Sequence, residues 1–296
     1  MATHQYQQDA RNYNILININ GELVPRAEAK ISVFDSGFIL GDGVWEGIRL
    51  HKGKLAFIEQ HMSRLYDGAK ALDMDIGLSK RAMVKRLLET CEANNMSDDV
   101  HIRLMVTRGE KSTPYQDPRV TISNATVVII AEYKKPVAQT TGVNLFTTHV
   151  RRGYPDVQDP GLNTHSKLNC IFACIQAYKA HADEALMLDP HGFVATCNST
   201  HFFIVTNGEV WTSSGDYCLD GITRNNVIQL CKDNDIPVYE KNFPLAKVYA
   251  ADEAFITGTF AGLSWVDKVD GRKIGTGEIP VIKRLNALYR DLIEHQ

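Results

Sequence analysis

The stretch from Val100 to Thr107 constrains the fold most, because it alternates without a break. Val100, Ile102, Leu104 and Val106 lie on one side, His101, Arg103, Met105 and Thr107 on the other. Period-two alternation predicts a half-buried strand. Two helical stripes precede it: Met62, Leu65, Ala69 and Leu72 after Gln60, then Met83, Val84, Leu87, Leu88 and Cys91 after a Ser79 cap, with Asn94 and Asn95 closing the second. Ala125 to Ala131 follows as a continuous apolar run and reads as a strand buried on both faces. Such mixing of helices and strands predicts an α/β (α+β) fold.

Residues 1 to 12 show no periodicity and read as a loose tail. Asn20-Gly21 predicts a hairpin between Tyr13 to Asn18 and Glu22 to Val24. In FDSGFILGDGVWEGIRL, Gly37, Gly41, Gly43 and Gly47 read as tight turns, as close backbone approaches, or as a loop between strands. Polarity, proline and lost periodicity coincide in EYKKPVAQTTG. That predicts a smaller N-terminal domain over 1–132, a linker over 133–142 and a larger C-terminal domain over 143–296.

The second half opens with a strand at Val143 to Thr148. A helix follows Lys167, striped by Leu168, Ile171, Phe172, Ile175 and Tyr178 and running to about Ala182. Further strands are expected at Glu184 to Asp189 and, around the Asn207-Gly208 turn, at His201 to Thr206 and Glu209 to Thr212. Gly221 and a Thr223 cap lead into another helix, Glu253 to Ile256 is a strand ending in Thr257-Gly258-Thr259, and Ile282, Leu285, Leu288, Tyr289 and Leu292 stripe a closing helix.

A net charge of −3 and a pI near 6.4 give no basic excess to drive binding to nucleic acid or a membrane surface. The partner expected is a small molecule or another subunit. No apolar run is long enough to span a bilayer, and the polar N-terminus shows no signal peptide. Six cysteines without a C-x-x-C pair read as reduced thiols of a cytoplasmic protein, and no metal site is expected.

Between Pro160 and Ala182 no Asp or Glu occurs, and Lys167 sits in that run. It is either a solvated surface lysine or an amine without a local counter-ion, the kind that deprotonates and attacks an aldehyde. Arg64, beside its helix stripe, is either solvated or a phosphate ligand. Arg103, centred on a strand, lies on a solvated face or faces a cavity that receives a carboxylate. The helix opening after Gly221 and the small residues of Thr257 to Thr259 both offer backbone amides to an anion.

GDGVWEGIR (41–49), HMSRL (61–65), the acid-free lysine, GITR (221–224) and TGT (257–259), in this order, resemble the class IV pyridoxal-phosphate aminotransferases, the fold type IV group. The likeness runs from about Asn18 to Arg284. It implies two domains with the active site at the interdomain cleft, and a homodimer. It also implies that Lys167 forms the Schiff base with pyridoxal 5'-phosphate and shuttles the proton between substrate Cα and cofactor C4′. The phosphate arginine falls on Arg64, and the phosphate-binding loop amides fall on Ile222 and Thr223 and on Thr259 with Phe260.

Where most of the family places a Glu against the pyridine nitrogen, this chain has Thr196. A hydroxyl stabilises a protonated ring less than a carboxylate does. In branched-chain enzymes a strand arginine recognises carboxylate, and Arg103 falls there, but His101 and Leu40 replace two pocket tyrosines. Thr113 and Tyr115 replace the arginine and histidine of the D-amino acid enzymes. Phe38, Leu40, Trp45 and Phe260 suit an apolar side chain. The expected activity moves an amino group between a branched-chain-like donor and a 2-oxo acid. The alternatives are an (R)-amine or D-amino acid transaminase, an aminodeoxychorismate lyase, or a pyridoxal-phosphate-binding relative without turnover.

Overall fold

A computed structural model describes residues 9–135 and 141–296. They form two units. One holds the described residues of Gln7–Pro136 with Leu162–Ser166 and Gln296, the other those of Val137–Gly161 and Lys167–His295. Of the segment expected as a linker, 136–140 lie outside the described residues, as do 1–8 of the expected tail.

The N-terminal unit contains a six-stranded antiparallel sheet. Its strands are β1 (Leu16–Ile19), β2 (Glu22–Pro25), β3 (Gly43–His51), β4 (Lys54–Leu55), β5 (Val100–Thr107) and β6 (Thr126–Tyr133), in the order β2-β1-β6-β5-β3-β4. Its helices are α1 (Ser36–Leu40), α2 (Ile58–Ala71) and α3 (Lys80–Ala93). The alternation of β5 does what it predicts: Val100, Ile102, Leu104 and Val106 are fully buried and share one core with Met62 and Leu65 of α2 and Met83 and Leu87 of α3. Each such side chain contributes roughly 1.5–3 kcal/mol. Ser79 caps α3, accepting from the Ala82 amide at 3.2 Å.

One stretch differs from expectation. Ala10–Asn14, expected as the end of the loose tail and the start of the Tyr13 to Asn18 strand, is a 3-10 helix, so the strand begins at Leu16, and buried Asn12 exchanges two 2.8 Å hydrogen bonds with the backbone of Tyr133. The glycine-punctuated segment is α1 followed by nine-residue β3, paired along nearly all its length with β5. A Cβ on Gly43 would lie 2.5 Å from the Val106 carbonyl, so this glycine serves close approach within a sheet and not a turn.

Residues Leu162–Ser166 add to this unit, although they follow Lys135 by more than twenty positions. Thr164 bridges Val44, the Trp45 amide donates to Asn163 O at 3.0 Å, and the His165 amide donates to Gly43 O at 2.9 Å.

The C-terminal unit carries a nine-stranded sheet. Its strands are β7 (Val143–Thr147), β8 (Glu184–Leu188), β9 (Val194–Cys197), β10 (His201–Thr206), β11 (Glu209–Thr212), β12 (Val238–Glu240), β13 (Glu253–Gly258), β14 (Gly262–Val269) and β15 (Arg272–Lys273). The order is β12-β11-β10-β13-β14-β7-β8-β9, with β15 on β14; β7 runs parallel to both β8 and β14. Its helices are α4 (Pro155–Gln158), α5 (Leu168–Lys179), α6 (Ile222–Asp233), α7 (Leu245–Tyr249) and α8 (Pro280–Glu294). The Asn207-Gly208 hairpin forms as expected, both residues at positive φ. Helix α5 packs on β7 and β8 through Ala173 and Ala177, while its stripe of Leu168, Ile171, Phe172, Ile175 and Tyr178 is exposed.

Candidate functional site

In the C-terminal unit the turn between β9 and β10 is built on a buried carboxylate. Glu184 Oε1 accepts from the Ser199 amide (3.0 Å), Ser199 Oγ (2.7 Å) and Thr200 Oγ1 (2.9 Å). The Thr200 carbonyl in turn accepts from the Cys197 amide and, at 2.8 Å, from buried Thr196 Oγ1. The Thr196 hydroxyl therefore spends its proton inside the turn, and its lone pairs are what it can offer a neighbour. Burial, reinforced by Glu184, pushes the Cys197 thiol well above its ordinary pKa, which keeps it neutral.

Cross-strand register connects this turn to the other small-residue segments. His201 of β10 stands opposite Thr257 of β13. Its imidazole presses on Gly221, where a Cβ would lie 2.2 Å from the ring, and its Nε2 bonds the Leu219 carbonyl at 2.8 Å. A carbonyl only accepts, so Nε2 carries the proton. A Cβ on Gly258 would stand 3.3 Å from the Thr200 methyl. Thr196, Thr200, the start of α6 and the Thr257 to Thr259 turn are thus joined by one chain of contacts.

The start of α6 corrects one expectation. Gly221, not Thr223, is the N-cap; Ile222 and Thr223 are buried and lie within the first turn. No side chain caps this end and no acid occupies its first turn, so its amides and the positive end of the helix dipole are available to an anion. Thr257 Oγ1 is buried and meets no partner, a second donor without an acceptor. Thr259 follows in the turn after β13, and Phe260 is buried. Half-buried Lys167 is the N-cap of α5, its carbonyl accepting from the Ile171 amide at 2.9 Å.

In the N-terminal unit Arg64 is paired side-on with Glu46: Nε to Oε1 at 2.8 Å and Nη2 to Oε2 at 2.7 Å. His61 Nδ1 meets Oε2 of the same carboxylate at 2.6 Å. Burial alone would raise the Glu46 pKa. The Arg64 hydrogen bonds, then that of His61, outweigh it and hold the carboxyl below its ordinary value. On the other sheet face, opposite this core, the Arg103 guanidinium lies over Trp45, 3.8 Å from the ring centroid, and no carboxylate pairs with it among the described residues. Burial lowers its pKa, opposed by Glu46 and Glu132, and it remains a cation. Trp45 is anchored by Nε1 donating to the Thr164 carbonyl at 3.1 Å. Phe38 and Leu40 are exposed.

A family model described as amino-transferase class IV matches residues 43–269. The chain belongs to that family. It is 40% identical over 285 residues to branched-chain-amino-acid aminotransferase-like protein 2 of Arabidopsis thaliana, a match covering 96% of this chain and 51% of the relative. The chain thus spans about half the length of that relative. It is 41% identical over 278 residues to a putative branched-chain-amino-acid aminotransferase of Methanocaldococcus jannaschii, covering 93% of this chain and 96% of the relative. Among solved structures, the branched-chain aminotransferase of the thermophilic archaeon Thermoproteus uzoniensis, determined with norvaline, superposes with a TM-score of 0.85 at 30% identity, covering 95% of this chain and 95% of that one. The fold is that of the class IV, fold type IV aminotransferases, an α+β architecture.

Glu46 and His61 lie inside the motifs GDGVWEGIR and HMSRL without a role of their own in the sequence reading, and Glu184, Thr200 and His201 are assigned none there either. Only the first two left a linear signal: Glu46 has the core-facing parity of its strand, and His61 precedes Arg64 by one helical turn. Among the described residues no group of His, Cys, Asp and Glu is suited to a metal ion, and no helix is long and apolar enough to cross a membrane.

Proposed function

We infer that this class IV chain is a pyridoxal-phosphate-dependent aminotransferase, moving an amino group between a branched-chain-like amino donor and a 2-oxo acid. The observation that carries this reading is the unfilled donor set of the C-terminal unit: a helix start with no side-chain cap beside a buried hydroxyl with no acceptor. These residues fit a phosphate dianion. When bound, the cofactor supplies an aldehyde carbon and an electron-accepting ring, which let an amino group change carriers.

In this reading Lys167 Nζ would hold the cofactor through its aldehyde carbon and would take and return the proton at substrate Cα. The amides of Ile222 and Thr223, those of Thr259 and Phe260, and the Arg64 guanidinium hold the phosphate. Thr196 Oγ1 meets the ring nitrogen as a hydrogen-bond acceptor. Arg103 binds a substrate carboxylate, with Trp45 and Leu40 beside the donor side chain. The branched-chain preference is supported by the M. jannaschii and T. uzoniensis relatives. We assign the working form as a cytoplasmic homodimer on the strength of the family likeness.

Borohydride reduction of the yellow protein followed by peptide mass analysis tests the core of this: the cofactor mass is expected on Lys167. A colourless protein with no adduct there overturns the assignment. L-leucine, D-alanine and (R)-1-phenylethylamine, each with 2-oxoglutarate and with pyruvate, test the donor class, with L-leucine expected to turn over fastest.

A further inference from the structure

Strand β3 turns Val44, Glu46, Ile48 and Leu50 toward the core, all at most 2% exposed. A carboxylate in that row is costly unless its oxygens are fully engaged. Glu46 meets the demand with three donors, all from one face of α2: His61 Nδ1, Arg64 Nε and Arg64 Nη2. His61 is also 0% exposed, and its Nε2 has no partner. A carboxylate only accepts, so Nδ1 of His61 carries the proton of that hydrogen bond.

The arrangement is directional. His61 and Glu46 lie entirely inside, while the Arg64 side chain is 14% exposed. A side-on fork fixes both the position and the plane of a guanidinium, and its opposite edge, with Nη1, points away from Glu46. We propose that His61 and Glu46 are positioning residues for Arg64: the imidazole holds the carboxylate, and the carboxylate holds the guanidinium plane for a phosphate monoester. This rests on the reading of Arg64 as the phosphate ligand given above.

The test compares affinities for pyridoxal phosphate and for pyridoxal, which lacks the phosphate, in wild type, His61→Asn, His61→Phe, Glu46→Gln and Arg64→Ala, each below its own melting temperature. The ratio of the two dissociation constants isolates the phosphate grip. His61→Phe and Glu46→Gln are expected to shrink that ratio by about tenfold, the lower end of the effect known for residues that orient metal ligands, while pyridoxal affinity stays within about threefold. His61→Asn keeps an N–H near the Nδ1 position and is expected to restore the ratio.

If Arg64→Ala shrinks the ratio but His61→Phe and Glu46→Gln leave it at the wild-type value, or weaken both ligands equally, the positioning role is overturned and Arg64 keeps its own. If Arg64→Ala leaves the ratio unchanged, the phosphate assignment of Arg64 fails, and this inference with it.

Discussion

The Arg103 guanidinium lies flat against Trp45, 3.8 Å from the ring centroid, on the sheet face opposite the N-terminal core. A cation over an indole is worth roughly 0.5–2 kcal/mol and is held in place without its charge being neutralised. Arg103→Ala is therefore expected to raise KM for the 2-oxo acid about tenfold, equivalent to roughly 1.4 kcal/mol of lost binding, with a smaller change in kcat. Steady-state kinetics with 2-oxoglutarate check this; an unchanged KM removes Arg103 from carboxylate recognition. Trp45→Leu should reproduce part of the effect.

Thr196 already donates to the Thr200 carbonyl, so in the proposed site it would meet a ring nitrogen as a neutral acceptor. Thr196→Glu would put a negative charge at that point and stabilise a protonated ring. The spectral transition of the bound cofactor is expected to move to higher pH in a pH-absorbance titration. A superimposable titration would show that Thr196 does not face the ring.

The Glu46 carboxyl lies below the ordinary 4.5 in the folded protein. The stabilisation linked to that shift is complete above the unfolded value and is lost as pH falls through the lower folded value. Acid unfolding should thus steepen below about pH 4.5. Removing one partner of a buried ion pair costs about 3–5 kcal/mol. Glu46→Ala should lose stability on that scale at pH 7, and the gap to wild type should narrow on acidification in urea titrations.

Burial pushes the thiols of Cys91 and Cys231 up to about 12 and raises those of Cys197 and Cys218. Cys174 is exposed. Iodoacetamide at pH 7.5 should leave the four buried thiols of the native protein unmodified, whereas denaturant exposes all six cysteines; mass spectrometry of the peptides reads the pattern.

Gly221 has ordinary φ, so its need for glycine comes from the His201 ring alone. Gly221→Ala must displace that ring or the start of α6, at a cost of about 1–3 kcal/mol. A lowered melting temperature together with weaker cofactor retention is the expected result.

Periodicity carried most of the fold: the stripes of α2 and α3 and the alternation of β5 depend on neighbours a few positions away, and they formed as read except that Leu88 of the α3 stripe is exposed. Strand β3 was harder to see, because Gly43 and Gly47 look like breakers locally and the ion pair that makes Glu46 a core residue comes from a helix beyond it. Helix α5 shows a different limit. Spacing says which residues share a face, but Ala173 and Ala177, not the larger stripe, turn inward. Thr200 and His201 act through cross-strand register and a turn, which no linear motif displays.

Within the stretch from Leu162 to Ser166, Asn163 and His165 hydrogen-bond to the backbone of Gly43, Val44 and Trp45. During synthesis, the early half of the chain must therefore wait for a segment made well after its own last strand. A polypeptide cut after Tyr133 would keep its helices and most of its ladder but present bare amides and carbonyls along that part of β3. Premature termination in this gene should accordingly yield a sticky fragment rather than a stable half-protein.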